Sequence, residues 1–520
     1  MNTADLLLAQ ARLRPDAAAI IETHAGTDRI LTFGELDSLS ARGAAVLRAA
    51  GLRAGATALV LEPMSIDLYV ALTALFRAGI VAMFLDPSAG HDHIARCCAM
   101  RPPDAYLGRP KAHLLRLLSP AVRCIPRHWS FGKTPVPFAT RWTAALERAT
   151  ADTAIQPCDT DTAALLTFTS GSTGQPKAAV RTHGLLAAQH AALAESIHLG
   201  PGQIDLTTLP IFALANLASG VTTVIPEGDL RRPGAVDPAP IVRQIRRLHP
   251  SRSGASPAFF EQLLTAGEPF PEFTLLYTGG APVFPSLLNR LSASAPNARV
   301  VAVYGSTEAE PIAHIARDTI TDEQIAAMVA GKGLLAGPPE PCVTLRILAD
   351  QWGKPVGPFT AATFEAACRP AGQSGEIVVS GDHVLPGYWQ GQGDAETKFR
   401  VDGRIWHRTG DSGYLDPAGR LWLLGRASAR IADSRGELYP FAVECAARQI
   451  PGIRRAALVQ HDGCRILLLE PSERPGPDLA RVQTALVWAQ LDEVRVWPEI
   501  PMDRRHNAKV DYAELKRRLR

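Results

Sequence analysis

From residue 31 onward, stretches of helical periodicity alternate with short apolar runs, and each run ends in a turn containing Gly, Pro or Ser. The pattern predicts a helix over 32–50, a strand over 56–61, a helix over 65–77 and a strand over 80–85. Apolar runs at 163–169, 204–209, 222–225, 274–277 and 299–303 continue it. This is the rhythm of layered α/β sheets, where loops at the carboxyl ends of strands carry the chemistry. After Val343 the runs become shorter and β-like, which predicts a small antiparallel subdomain. From Ala427 to the end an α+β lobe is expected, with helices over 439–450 and 479–491 and strands over 456–459 and 465–469. The expected division is a large domain over 1–425 and a small one over 426–520. The Pro- and Arg-rich stretch 101–160 gives no clear pattern and is read as a peripheral element of the large domain.

A chain of 520 residues with 46% hydrophobic and 20% charged residues is neither disordered nor collagen-like. Its 54 basic and 51 acidic residues leave a formal charge of +3, with no block of one sign before 516–520. Non-specific nucleic-acid binding therefore has no electrostatic support. Eight cysteines without a Cys-x-x-Cys pair read as reduced thiols in a cytoplasmic protein. His93 and Cys97 share a helix face, but with His91 and Cys98 they lack the paired spacing of a zinc site, and a structural role is preferred. The amino-terminal residues show no secretory signal. The most apolar stretch, 68–85, is interrupted by Arg77 and Gly79, so a buried helix and strand are expected rather than a membrane span.

The most informative stretch is Leu165-Leu166-Thr167-Phe168-Thr169-Ser170-Gly171-Ser172-Thr173-Gly174-Gln175-Pro176-Lys177. An apolar strand runs into a loop of Gly, Ser and Thr, then into Pro-Lys. Such a loop brings backbone N–H groups and hydroxyls against phosphate oxygens, because glycine leaves no Cβ in the way, and the lysine adds a point charge. The Walker A spacing is absent.

Residues Thr169 to Lys177 resemble the phosphate loop of the adenylate-forming superfamily, which includes acyl-CoA synthetases, luciferases and peptide-synthetase adenylation domains. Further segments match in the family's order. Gly279-Gly280-Ala281-Pro282 resembles the turn that packs on adenine. Tyr304-Gly305-Ser306-Thr307-Glu308 resembles the motif whose aromatic ring lies near adenine, whose Thr meets the α-phosphate and whose Glu helps hold magnesium. His407-Arg408-Thr409-Gly410-Asp411 resembles the motif whose aspartate binds the ribose hydroxyls. Gly425-Arg426 resembles the start of the hinge, with Arg426 a ribose or phosphate ligand and Ser428 near the pivot. Ala508-Lys509 resembles the Gly-Lys whose lysine stabilises adenylate formation. The resemblance implies a large α/β amino-terminal domain and a small mobile carboxyl-terminal lobe. It also implies ATP and Mg²⁺ as cofactors, and triphosphate contacts from Thr169, Ser170, Gly171, Ser172, Thr173, Gly174 and Lys177. Tyr304 and Gly305 are implied at the nucleotide, Glu308 at the metal, and Lys509, Lys177, Thr307 and Glu308 in the catalytic roles.

The departures from the family pattern narrow the reading. Pro210-Ile211-Phe212-Ala213 stands where many relatives have an aromatic pair ending in His. After Gly425-Arg426, the expected Ile-Lys-x-x-Gly is replaced by Ile431-Ala432-Asp433-Ser434-Arg435-Gly436, one residue longer and without the lysine, which puts CoA as acceptor in doubt. The tail Pro501-Met502-Asp503-Arg504-Arg505-His506-Asn507-Ala508-Lys509, with Glu308-Ala309-Glu310-Pro311-Ile312, is similar to the branch acting on 3-hydroxy fatty acids, the OleC-type β-lactone synthetases. There the substrate's own hydroxyl would attack the adenylate, and an oriented intramolecular nucleophile has a high effective concentration. The acyl site is expected beside Phe212, Asn216, Ser256 and Gly280. Three readings stay open: β-lactone formation from a 3-hydroxy acid, thioester formation with CoA or a carrier, and a non-catalytic nucleotide-binding role. Oligomeric state is silent in the sequence.

Overall fold

The structure is a computed structural model that describes residues 1–86, 90–170, 176–472, 476–502 and 510–519. The chain divides into two units. The first holds Met1–Arg231, Ala239–Gly254 and Asp382–Asp394, and the second holds Arg232–Pro238, Ala255–Gly381 and Ala395–Arg520.

In the first unit the strand Thr57–Leu61 is buried at all five positions. A strand covered on both faces needs a continuous apolar run, and this one sits centrally in a parallel sheet. Its neighbours are Val81–Phe84 and Ala105–Gly108. Beyond Ala105–Gly108 lie Arg127–Ser130 and Thr140–Arg141. Beyond Val81–Phe84 lies Ala163–Ser170, followed by the antiparallel Pro176–Thr182. The stretch 101–160 thus supplies three strands that the sequence does not reveal. Runs of four residues or fewer hold too few positions to register a period, although Tyr106 and Leu107 are fully buried.

The helix Phe33–Ala49 opens with a capping box in which Thr32 and Glu35 each bond the other's backbone N–H. It meets the helix Ile66–Arg77 at Gly43, where a Cβ would come within 2.7 Å of the Ala74 methyl. Ile66–Arg77 is buried everywhere but Asp67. The terminal nitrogens of the buried Arg77 meet the Thr153 carbonyl at 2.9 Å and Asp37. Among the described residues no helix is long and apolar enough to cross a membrane. A second sheet in this unit joins the hairpin Ala18–His24/Thr27–Thr32 to the parallel strands Thr222–Ile225, Ile204–Thr207 and Arg252–Ala255.

In the second unit Leu275–Gly279 runs parallel to Arg299–Ser306, which turns back as Ala309–Ala316. The expected antiparallel subdomain follows, in the order Leu334–Gly337, Leu421–Arg426, Arg404–Leu415, Gly375–Ser380, Thr344–Leu348, with Lys398–Val401 added to Arg404–Leu415. Past Ala427 come the small hairpin Ile431–Asp433/Gly436–Leu438 and the helix Pro440–Ala447. The strands Ile453–His461, Cys464–Pro471 and Glu493–Val496 form a sheet, accompanied by the helices Leu479–Ala485 and Tyr512–Leu519. These residues have a core of their own around Val443, Leu458, Leu467 and Leu469. They also join the preceding sheet where Leu424 packs on Tyr439 and Ala442. The helix expected over 479–491 ends at Ala485, and a 3₁₀ turn Val487–Ala489 stops at Gln490, which is left-handed at φ 49°.

Candidate active site

In the first unit, the phosphate-loop motif begins and ends on paired antiparallel strands, with Thr169 opposite Lys177 and Ser170 opposite Pro176. Gly171, Ser172, Thr173 and Gly174 lie outside the described residues, as do the side chains of Thr169 and Ser170. Lys177 is the second residue of the return strand, and its ammonium stands 5.9 Å from the centroid of the Tyr388 ring. Two residues before the loop, Thr167 accepts a hydrogen bond from Arg181 at 2.7 Å.

Phe212 and Asn216 are four residues apart on the helix Pro210–Ser219 and so share a face. Phe212 is buried against Gly254, where a Cβ would come within 2.9 Å of the ring. Asn216 is fully buried, and its amide donates to Asp205 Oδ2 at 2.8 Å and to Thr223 Oγ1 at 3.2 Å. Burial pushes the Asp205 carboxyl up from its ordinary value. Asn216 is therefore the amide donor to a buried acid. Ser256 caps the helix Pro257–Leu264, its hydroxyl accepting from the Phe259 N–H at 3.4 Å.

The second unit gathers the nucleotide-type residues. Asp411 lies on Arg404–Leu415 directly opposite Arg426 on the neighbouring strand. Arg408 meets the buried Glu376 at 2.6 Å, and just past it the strand is irregular, with Gly410 left-handed at φ 69° between Thr409 and Asp411. The Asp411 carboxylate takes Arg426 at 3.2 Å and the Tyr304 hydroxyl at 2.9 Å. Arg426 also donates to the Thr409 carbonyl at 3.2 Å. Asp411 raises the pKa of the Arg426 guanidinium. Burial, with Asp411 alongside, holds the Tyr304 phenol well above its usual range, so it remains a donor. Thr307 and Glu308 form the tight turn after Arg299–Ser306, and the Glu308 N–H bonds Ser306 Oγ at 3.3 Å. The Glu308 charge acts on both Arg426 and His407.

Gly280, Ala281, Pro282, Tyr304, Gly305, Asp411 and Arg426 line one cavity of about 300 Å³. Gly280 is left-handed, at φ 80°, which lets the chain turn away from strand Leu275–Gly279 beside the opening. Lys509 lies outside the described residues. The far wall comes from side chains that the sequence does not mark: Phe441, Glu444 and Arg448 of the helix Pro440–Ala447 and its cap, with Tyr512. Glu444 accepts from the Leu458 N–H at 2.9 Å and from the Tyr512 hydroxyl at 2.6 Å, and burial pushes its carboxyl up to about 7. Arg448 stacks on Phe284, 3.8 Å from the ring centroid, and burial lowers its pKa to about 10. Only the four-residue spacing of Glu444 and Arg448 hinted that they share a helix face.

The chain belongs to the family of AMP-binding enzymes, whose profile matches residues 7–389. It is an AMP-forming ligase that acts on a carboxylic acid with ATP. Within the family it is similar from end to end to the olefin beta-lactone synthetase of Stenotrophomonas maltophilia, 32% identical with 99% of this chain and 97% of the relative covered. The olefin beta-lactone synthetase of Xanthomonas campestris pv. campestris is 32% identical over 99% of this chain and 96% of the relative. A feruloyl-CoA synthase from Amycolatopsis is 28% identical over 86% and 84%. Among solved structures, ATP-bound MatB from Rhodopseudomonas palustris shares the fold with a TM-score of 0.78 at 22% identity, covering 100% of this chain and 99% of that one. The amide bond synthetase McbA from Marinactinospora thermotolerans does so with a TM-score of 0.80 at 20% identity, over 100% and 99%.

Proposed function

We propose that this enzyme adenylates a 3-hydroxy fatty acid and then closes it to a β-lactone. The observation that carries the proposal is the end-to-end likeness to two olefin beta-lactone synthetases. A carboxylate is a poor electrophile and is repelled by phosphate, so the first step needs cations around the triphosphate. Lys177 and the loop Thr169–Gly174 are assigned to the β- and γ-phosphates, Thr307 to the α-phosphate and Lys509 to the charge that develops as pyrophosphate leaves. Asp411 is assigned to the ribose hydroxyls, with Arg426 beside it, and Gly280, Ala281, Pro282, Tyr304 and Gly305 to the adenine face. The substrate carboxylate attacks the α-phosphorus, the bond to pyrophosphate breaks, and acyl-AMP forms. The 3-hydroxyl oxygen then attacks the acyl carbon, AMP leaves, and the hydroxyl proton passes to a base.

Mg²⁺ fits the donor set, since Mg²⁺ is usually held by one or two carboxylates plus substrate phosphates. Glu308 is the carboxylate at the turn, and the bound ion would neutralise triphosphate charge. Phe212 is assigned to the acyl side, with Ser256 and Asn216 contributing through the elements they fix. The segment Ile431–Gly436 supports an acceptor other than CoA. Its Asp433 is held by Arg465 at 2.7 and 2.9 Å and by Arg435 at 3.1 Å, which commits the turn to the lobe's own framework. All eight cysteines are free thiols, in keeping with a cytoplasmic location.

The test is to incubate the protein with ATP, Mg²⁺ and a 3-hydroxy fatty acid, with and without CoA, and to weigh the product. AMP release with loss of water from the acid in the absence of CoA is the expected result. A thioester formed only when CoA is present would replace this reading with that of a CoA ligase.

A further inference from the structure

Between the strands Gly375–Ser380 and Lys398–Val401 of the antiparallel sheet, the chain leaves the second unit, and Asp382–Asp394 belongs to the first. There it lies against the strand that begins with Pro176-Lys177. Tyr388 forms an antiparallel bridge with Ala179, two residues past Lys177, and is buried with Ala179, Leu185 and Leu385. The Tyr388 N–H donates to Asp394 Oδ1 at 2.9 Å, closing the intervening residues into a loop. Next to it, Trp389 carries the Arg101 guanidinium 4.7 Å from its ring centroid. The result is a small platform clamped at both ends.

The Lys177 side chain rests on this platform. Its ammonium faces the Tyr388 ring, whose negative π-face attracts a cation. From another direction comes the backbone of Gly393. A Cβ there would stand 2.6 Å from Lys177 Cδ and Cε and 2.8 Å from Nζ, and Gly393 has φ 102°. The backbone at position 393 calls for glycine, and a Cβ there would push the end of the Lys177 side chain out of its place. Lysine is among the side chains that lose most rotamer freedom on being fixed, and a cation already in place stabilises developing charge without reorganising at the moment of reaction. We propose that Tyr388 and Gly393 are positioning residues for Lys177, holding its ammonium ready for the leaving pyrophosphate. This rests on the assignment of Lys177 to the β- and γ-phosphates.

The test is a double-mutant cycle read by ATP–pyrophosphate exchange, with KM for ATP and for pyrophosphate and kcat measured separately and melting followed in parallel. Lys177→Ala is expected to lose about tenfold or more, the usual scale for a charge-assisted contact. Gly393→Ala should lose about tenfold in the same parameter and, because alanine is strained at φ 102°, melt somewhat below the parent while still folding. Gly393→Ala/Lys177→Ala should be no worse than Lys177→Ala alone. Tyr388→Leu, which keeps an apolar side chain and removes the ring, should lose severalfold in that parameter, and Tyr388→Phe should recover most of it. If Lys177→Ala is impaired while Gly393→Ala and Tyr388→Leu stay within twofold of the parent, the positioning role is overturned. The same follows if the losses in the double variant multiply. If Lys177→Ala is itself unimpaired, the assignment beneath the proposal fails instead. Should Gly393→Ala not fold, the comparison of Tyr388→Leu with Tyr388→Phe decides.

Discussion

At the scale of single residues, the proposed nucleotide face depends on one carboxylate. Asp411 joins Tyr304 and Arg426, so Asp411→Asn weakens one charge-assisted hydrogen bond and removes one ion pair. ATP–pyrophosphate exchange is expected to show the KM for ATP raised by about ten- to a hundredfold, matching the roughly 1.5–3 kcal/mol of a hydrogen bond to a charged group. Glu444 behaves differently, because burial raises its carboxyl from 4.5 to about 7. The folded protein then holds a proton that the unfolded chain releases between about pH 4.5 and 7, and stability falls as pH rises through that window. In Glu444→Gln this decline should become shallower, the remainder coming from groups such as Glu62, which burial also pushes up to about 7. Urea unfolding at pH 5 and pH 8 measures it, and a slope equal to the parent's would show that Glu444 is not its source.

At the scale of elements, the helix Pro210–Ser219 joins a candidate acyl residue to a structural one. Asn216→Leu leaves the buried Asp205 without its amide donor. The expected loss is about 1–3 kcal/mol in urea unfolding. If Asp205→Asn added to Asn216→Leu does not restore part of that loss, the pairing is not what Asn216 contributes. This helix also shows what is legible in sequence. Contiguous motifs such as Thr169 to Lys177 and His407 to Asp411 are readable, because the chemistry and the local chain path are written in adjacent residues. The long central helices were readable because 3.6-residue periodicity accumulates over several turns. The partners Tyr388, Gly393, Phe441, Glu444 and Arg448 were not, since each is a single side chain brought to its place by a turn or crossover elsewhere. The short strands Arg127–Ser130 and Thr140–Arg141 were hidden for a related reason: Arg127–Ser130 is set by pairing with Ala105–Gly108, and Thr140–Arg141 by pairing with Arg127–Ser130, not by their own pattern.

At the scale of the whole molecule, the two units each take three segments in alternation, so the chain passes from one to the other five times. No single cut releases either unit. A chain ending at residue 425 would lose Tyr439 and Ala442 from around Leu424, and Phe441 from beside Gly425 and Phe284. Such a truncation should melt well below the full protein in calorimetry and bind an exposed-surface dye, because buried apolar area contributes roughly 25 cal/mol per Å². A fragment melting with the parent would show residues 426–520 to be energetically independent.

The opposed placement of Asp411 and Arg426 on neighbouring strands has a consequence for how such a catalyst changes over generations. On the proposed assignment, recognition of the fuel is written into a ladder of main-chain hydrogen bonds, where drift in one rung drags its neighbour along. The proposed acyl residue Phe212, by contrast, stands on the helix Pro210–Ser219, outside that ladder. Lineages can therefore be re-aimed at new acids while the energy-coupling end stays as it was.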